Sequence, residues 1–205
     1  MNAETKVNGK FNRKLLAATL IVIVVAAGAL VVWQVNGQQR LSFQETVSLP
    51  PLELTVIGAG GQRSVLDSAK LAALKSYTGT GGYNDEANSM LYTGNFTGVP
   101  VTTLLNLVGG ISSGDNVTFT GSDGYQITFT YQQIQGQNIN TFNPDTFAAQ
   151  TPTKPLTVIV AYYCNCTAIS GGKGPLTVAI VGPEGLLTNG YWWAYLLIKI
   201  QVIPP

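Results

Sequence analysis

The sequence predicts an α+β fold: a single mixed domain with several β-strands and few short helices, preceded by one transmembrane helix. Three observations predict it. Leu15 to Trp33 (LLAATLIVIVVAAGALVVW) is 19 consecutive residues without a charge, close to the ~20 that a helix needs to cross the hydrocarbon core. Beyond residue 50, short runs of Val, Ile, Thr and aromatic residues alternate with turn signals. Only two stretches there carry helical periodicity, so strands dominate and a regular parallel α/β fold is excluded.

The first element is a basic tail, residues 1–14, with Lys6, Lys10, Arg13 and Lys14 against Glu4. The flank after the apolar span, VNGQQR, has one basic residue. By the positive-inside bias the N-terminus is cytoplasmic and the chain beyond Trp33 lies outside. The rival is a cleaved signal peptide, since Ala27-Gly28-Ala29 has the small-x-small form of a cleavage site. Leu30-Val31-Val32-Trp33 continues the apolar run past that site and favours an uncleaved anchor over 15–33. A pilin-type leader cut after Gly9 is disfavoured because Arg13 and Lys14 interrupt the run. Residues 34–50 are polar, lack periodicity and read as a stalk. The 155 residues from 51 to 205 suffice for one domain with a real core, and they contain no internal repeat.

Within that domain the strand candidates are Leu52 to Ile57, Val117 to Thr120, Tyr125 to Thr130, Leu156 to Tyr163, Leu176 to Val181 and Leu196 to Ile203. Asp123-Gly124 reads as a type I′ hairpin turn, with positive φ at both central positions. In VPVTTLLNLVGG, Val101, Leu104, Leu105 and Val108 fall at i, i+3, i+4 and i+7, Pro100 suits a first helical position and Gly109 a C-terminal cap. Asp67 is placed to cap a second helix running through Lys75, with Leu71 and Leu74 inward.

Charge narrows the function classes. Charged residues make up 10% of the chain, against ~25% in an ordinary soluble domain. Of 11 basic and 10 acidic residues, four basic and one acidic precede the apolar span, leaving seven basic against nine acidic beyond it. No basic cluster marks a nucleic-acid footprint. The chain has no histidine, so the usual general base of a hydrolase triad is missing, and no Asp/Glu pair stands in a recognisable glycosidase setting. Three N-x-S/T triplets, at Asn95, Asn116 and Asn165, are glycan acceptor candidates.

In order, the LTVIG strand, a helix, YTGTGGY, FTGVPVTTLLNLVGG, VTFTGSDGYQITFT, LTVIVAYY, GPLTVAIVGPEG and YWWAYLLIKIQV resemble the oxidoreductase molybdopterin-binding domain, with its sulfite-oxidase-like fold, across residues 52 to 203. The resemblance implies a cysteine thiolate on molybdenum between the first helix and the GVP element, and His and Arg side chains holding the pterin phosphate and an oxyanion. Here SYTGTGGYNDEANSMLYTGNFTGVP contains no cysteine, and Gly174-Pro175-Leu176-Thr177 stands where catalytic members read G-P-L-R. No cofactor is therefore expected; molybdopterin is the alternative.

The two cysteines, Cys164 and Cys166, enclose Asn165. A zinc site needs three or four protein ligands, more than two thiols supply; Cu(I) accepts two thiolates but usually takes further soft ligands. A disulfide needs the strand to bend at Asn165, because extended residues i and i+2 lie ~6.6 Å apart at Cα. Strand parity sets Val158, Val160, Tyr162, Cys164 and Cys166 on one face, so the leading expectation is two small core residues behind a glycan on Asn165. Gly79-Thr80-Gly81-Gly82 reads as a flexible loop. Asn84, Asp85, Glu86 and Asn88 read as a solvated loop, with Ca²⁺ as the alternative, and Tyr191, Trp192, Trp193 and Tyr195 as core, with an exposed platform as the alternative. The whole reads as a cell-surface binding or assembly module with a protein or glycan partner; an altered-site oxidoreductase and a surface-layer or filament subunit are the alternatives.

Overall fold

The computed structural model describes residues 31–35, 38–42, 49–84 and 90–205. The chain forms two compact units, Met1–Thr46 and Val47–Pro205. In the first, β1 (Val31–Val35) pairs antiparallel with β2 (Gln38–Ser42), Val35 opposite Gln38. The Asn-Gly pair between them in the sequence is a strong hairpin signal. Strands thus stand in part of the expected stalk and at the last three residues of the expected span. Residues 15–30 of that span lie outside the described residues. Among the described residues, no helix is long and apolar enough to cross a membrane.

In the second unit the elements are, in order, β3 (Glu53–Ile57), β4 (Arg63–Asp67), α1 (Ser68–Ala72), β5 (Tyr77–Asn84), β6 (Met90–Pro100), α2 (Val101–Asn106), β7 (Asn116–Gly121), β8 (Gln126–Thr130) and α3 (Tyr131–Ile134). They continue with β9 (Thr141–Phe142), β10 (Thr157–Cys164), β11 (Thr167–Ala168), β12 (Thr177–Val181), β13 (Leu187–Asn189) and β14 (Leu197–Ile203). One sheet runs β4-β3-β14-β7-β8; the other runs β11-β10-β6-β5-β13-β9, with β12 also on β10. The pairs β14–β3 and β13–β5 are parallel. The mixed α+β class with few short helices holds.

Local chemistry explains the elements. The Asp67 carboxylate accepts the Lys70 N–H at 2.8 Å and opens α1, but the helix ends at Ala72 rather than Lys75. In α2, Val101, Leu104 and Leu105 are buried as the spacing required; Pro100 sits one position earlier than expected, as its cap. The β7–β8 turn departs from type I′. Gly124 takes φ 87°, whereas Asp123 is not among the positive-φ residues, and Gly124 N–H bonds to the Gly121 carbonyl at 3.1 Å. One left-handed glycine closing an ordinary turn is the three-residue hairpin form.

Two cores result. The larger joins both sheets and the helices through Leu54, Leu71, Leu104, Leu105, Phe119 and Phe129. The smaller gathers Tyr83, Phe96, Ile159, Ala161, Val181 and Trp193. Strand β10 separates them: Val158, Val160 and Tyr162 belong to the first core, Ile159 and Ala161 to the second. Burial on both faces explains its unbroken apolar run.

Candidate functional site

The cysteine pair occupies a tight turn. The strand ends at Cys164, which faces Thr167 across the β10–β11 hairpin. Asn165 and Cys166 take φ 49° and 62°, the positive pair that a two-residue type I′ turn needs. The expected parity fails before that turn. The β10–β6 register shifts between Ala161 and Tyr163, and a bulge reverses the alternation beyond it. Tyr163 therefore joins Tyr162 on the larger core, while Cys164 packs against the smaller one. The thiols are not paired core residues: both are free, Cys164 half-buried and Cys166 exposed.

The hairpin tip is fastened to β6. Asn165 N–H donates to the Asn95 carbonyl at 2.8 Å, and Asn95 N–H donates to Asn165 Oδ1 at 2.9 Å. Two glycan candidates, 70 residues apart, thus share one seat. Asn95 lies mid-strand between β5 and β10, and Asn116 is half-buried between Thr130 and Ile203. Only Asn165 stands exposed on a turn.

Residues 79–82, expected as a loop, lie within β5, four of whose last residues are buried in succession. Its inward positions Gly79 and Gly81 carry no side chain because β12 fills the space. A Cβ on Gly79 would meet Val181 Cγ2 at 3.0 Å, and one on Gly81 the Ile180 carbonyl oxygen at 2.4 Å. The outward face is neutral and polar: Thr78 bonds to Thr97 at 2.8 Å, and Thr80 donates to Asn95 Oδ1 at 2.6 Å. Asn84 is buried at the strand end; Asp85, Glu86 and Asn88 lie outside the described residues.

Beside Cys164 stands a cluster that the sequence did not disclose. Lys173, at the end of a 3₁₀ turn from Gly171, carries its ammonium 3.6 Å from the Tyr92 ring centroid and 5.6 Å from those of Tyr83 and Tyr195. It also donates to the Tyr83 hydroxyl at 3.3 Å. Trp193 backs the cage, 5.3 Å from Tyr83 and 5.1 Å from Phe96, with its indole N–H donating to Thr188 at 2.8 Å. Burial pushes the Tyr92 phenol above its ordinary range, and the hydrogen-bonded Cys164 thiol pushes it further. Burial raises Tyr195 likewise, with Tyr83 adding to it. The only hint in the sequence is a single cation, GGKG, within a nearly uncharged stretch.

Thr177, standing where the resemblance would place an arginine, is fully buried and donates its hydroxyl to the Lys173 carbonyl. It holds the turn that delivers Lys173. The aromatic run divides: Trp193 is 2% exposed and Tyr191 52%, with Trp192 and Tyr195 half-buried. It serves the core and offers one exposed ring.

These residues do not fit a molybdopterin centre. The stretch from Ser76 to Pro100, where the resemblance places the thiolate, contains no cysteine, and the inward positions Gly79 and Gly81 within it are closed off by β12. The nearby thiol, Cys164, rests on Gly94 and Tyr92, and the nearby cation is already enclosed by phenols. Among the described residues no three of His, Cys, Asp and Glu come together.

No family description matches the sequence, and no curated protein does. Among solved structures, the sulfane dehydrogenase SoxCD from Paracoccus pantotrophus matches with a TM-score of 0.54 at 16% identity, over 80% of this chain and 42% of that one. The chain thus spans less than half of that structure's length. The likeness shows a sulfite-oxidase-like fold, at the level of the fold alone.

Proposed function

We propose that this chain is a membrane-anchored binding or assembly module: a sulfite-oxidase-like domain held outside the membrane by residues 15–33, with its N-terminus cytoplasmic. A surface protein or glycan is its partner. The observation that carries the non-catalytic reading is the packing of β5, where Val181 and the Ile180 carbonyl occupy the space beside Gly79 and Gly81. These positions fall within the stretch from Ser76 to Pro100, which contains no cysteine, and they leave no room for a metal-ligating side chain. The anchor and its orientation rest on the uncharged run and the four basic residues before it.

Metal analysis and pterin fluorescence on the full-length protein from its native host test this reading. No stoichiometric molybdenum is expected. Stoichiometric molybdenum that is lost in Cys164→Ser would replace the module with an oxidoreductase of altered site.

A further inference from the structure

We propose that Cys164 and Cys166 form a reversible intramolecular disulfide across the β10–β11 turn, making this hairpin tip a redox-responsive contact on β6. The inference stands on the hairpin alone: molybdenum held by Cys164 would remove both it and the module, whereas failure of the thiol test below removes it alone.

Both cysteines of the chain fall within three consecutive residues. On a continuous strand their Cα atoms would lie ~6.6 Å apart, at the upper edge of what a disulfide spans. The strand does not continue. Positive φ at Asn165 and Cys166 turns the chain, and Thr167 returns opposite Cys164. Turning shortens the separation of i and i+2 relative to an extended chain. Neither thiol is fully buried, and the exposed Cys166 can reach a soluble disulfide. Gly94 leaves room for the inner sulfur: a Cβ there would lie 2.7 Å from Cys164 Sγ and 2.9 Å from Asn165 Oδ1.

Asn165 lies between the two sulfurs and makes both hydrogen bonds to Asn95, at 2.8 and 2.9 Å. Closing a ring through residue 165 therefore acts on the contact that fastens the tip to β6.

The oxidant is a low-molecular-weight disulfide, RS–SR. The Cys166 thiolate attacks one of its sulfurs, the S–S bond breaks, RS⁻ leaves and a mixed disulfide forms on Cys166. Cys164 then loses its proton, its sulfur displaces the second RS⁻, and the Sγ–Sγ bond closes. The two cysteines give up two electrons and two protons, which leave with the reagent as two RSH.

The test uses reduced full-length protein in detergent, equilibrated with glutathione buffers of rising oxidised fraction, then alkylated with iodoacetamide. Intact mass should shift from a chain with two alkyl groups to one with none and two hydrogens fewer. That species should be monomeric on a non-reducing gel and return to two thiols with dithiothreitol. Cys164→Ser should trap a glutathione adduct on Cys166. Hydrogen exchange at the Asn95 and Asn165 amides should differ between the two forms. A wild-type chain that keeps a glutathione adduct, dimerises through a disulfide, or retains two alkylatable thiols at the most oxidising ratio overturns the proposal. Identical exchange at both amides overturns the coupling to β6.

Discussion

Lys173 joins aromatic surface from three separate stretches of chain, for its ammonium meets Tyr92 from β6, Tyr83 from β5 and Tyr195 before β14. A cation–π contact contributes about 0.5–1 kcal/mol when exposed and about 2 when desolvated. Lys173 is half-buried, so Lys173→Ala should lower the unfolding free energy by about 1–2 kcal/mol. Lys173→Met, which keeps the apolar stem, should lose less. Urea denaturation of the three proteins at neutral pH measures both differences. The phenols supply a pH arm with a defined sign. Burial first, then the neighbouring thiol or phenol, raises Tyr92 and Tyr195 in the folded chain. Their unfolded value is ~10, so this stability is complete below pH ~10 and is lost as pH rises beyond it. Ultraviolet titration should leave Tyr92, Tyr195 and the fully buried Tyr162, whose phenol burial also raises, protonated after the exposed tyrosines have ionised. If all nine tyrosines of the chain ionise together, the cage is not packed as described.

Strand β5 shows what a one-dimensional pattern conceals. Tyr77, Gly79, Gly81 and Tyr83 alternate with Thr78, Thr80 and Gly82, which is a strand period, but two inward positions are glycine and register as a loop. The missing side chains are supplied by β12, far along the sequence. For the same reason Gly81→Ala should cost about 1–3 kcal/mol, the usual penalty of overpacking, because its methyl would meet the Ile180 carbonyl oxygen at 2.4 Å. Gly172→Ala, with nothing within 4 Å of its added methyl, is the control and should stay within about 0.5 kcal/mol of wild type. Equal stability of the two variants in thermal denaturation would sink the packing account. Strand β10 was legible for the opposite reason, since its own residues are apolar on both faces. Its bulge was not, because one extra residue leaves composition untouched while reversing the side on which Cys164 lies. The capped start of α1 and the inward face of α2 were legible because each depends on residues within about a turn of one another.

At the scale of the molecule, the order of motifs made the α+β architecture legible, whereas the Lys173 cage was not, since it assembles from residues up to 112 positions apart. Strands β9 and β11, two residues each, exist only through their partners and leave no periodic trace. Topology across a membrane is a different kind of property, set by the uncharged run and its flanks rather than by packing. The four basic residues before Leu15 face one in VNGQQR, and that asymmetry sets the orientation proposed for the anchor. A chain tagged at both ends tests it. Protease added to intact cells should release the C-terminal tag together with the domain over 51–205 and leave the N-terminal tag protected; permeabilised cells should lose both. Domains of this kind resist nicking where the backbone is hydrogen-bonded, so cleavage is expected ahead of residue 51 rather than within the two sheets. Loss of the N-terminal tag from intact cells would reverse the orientation. A mature chain recovered in the soluble fraction and beginning near Leu30 would replace the anchor with a cleaved signal peptide.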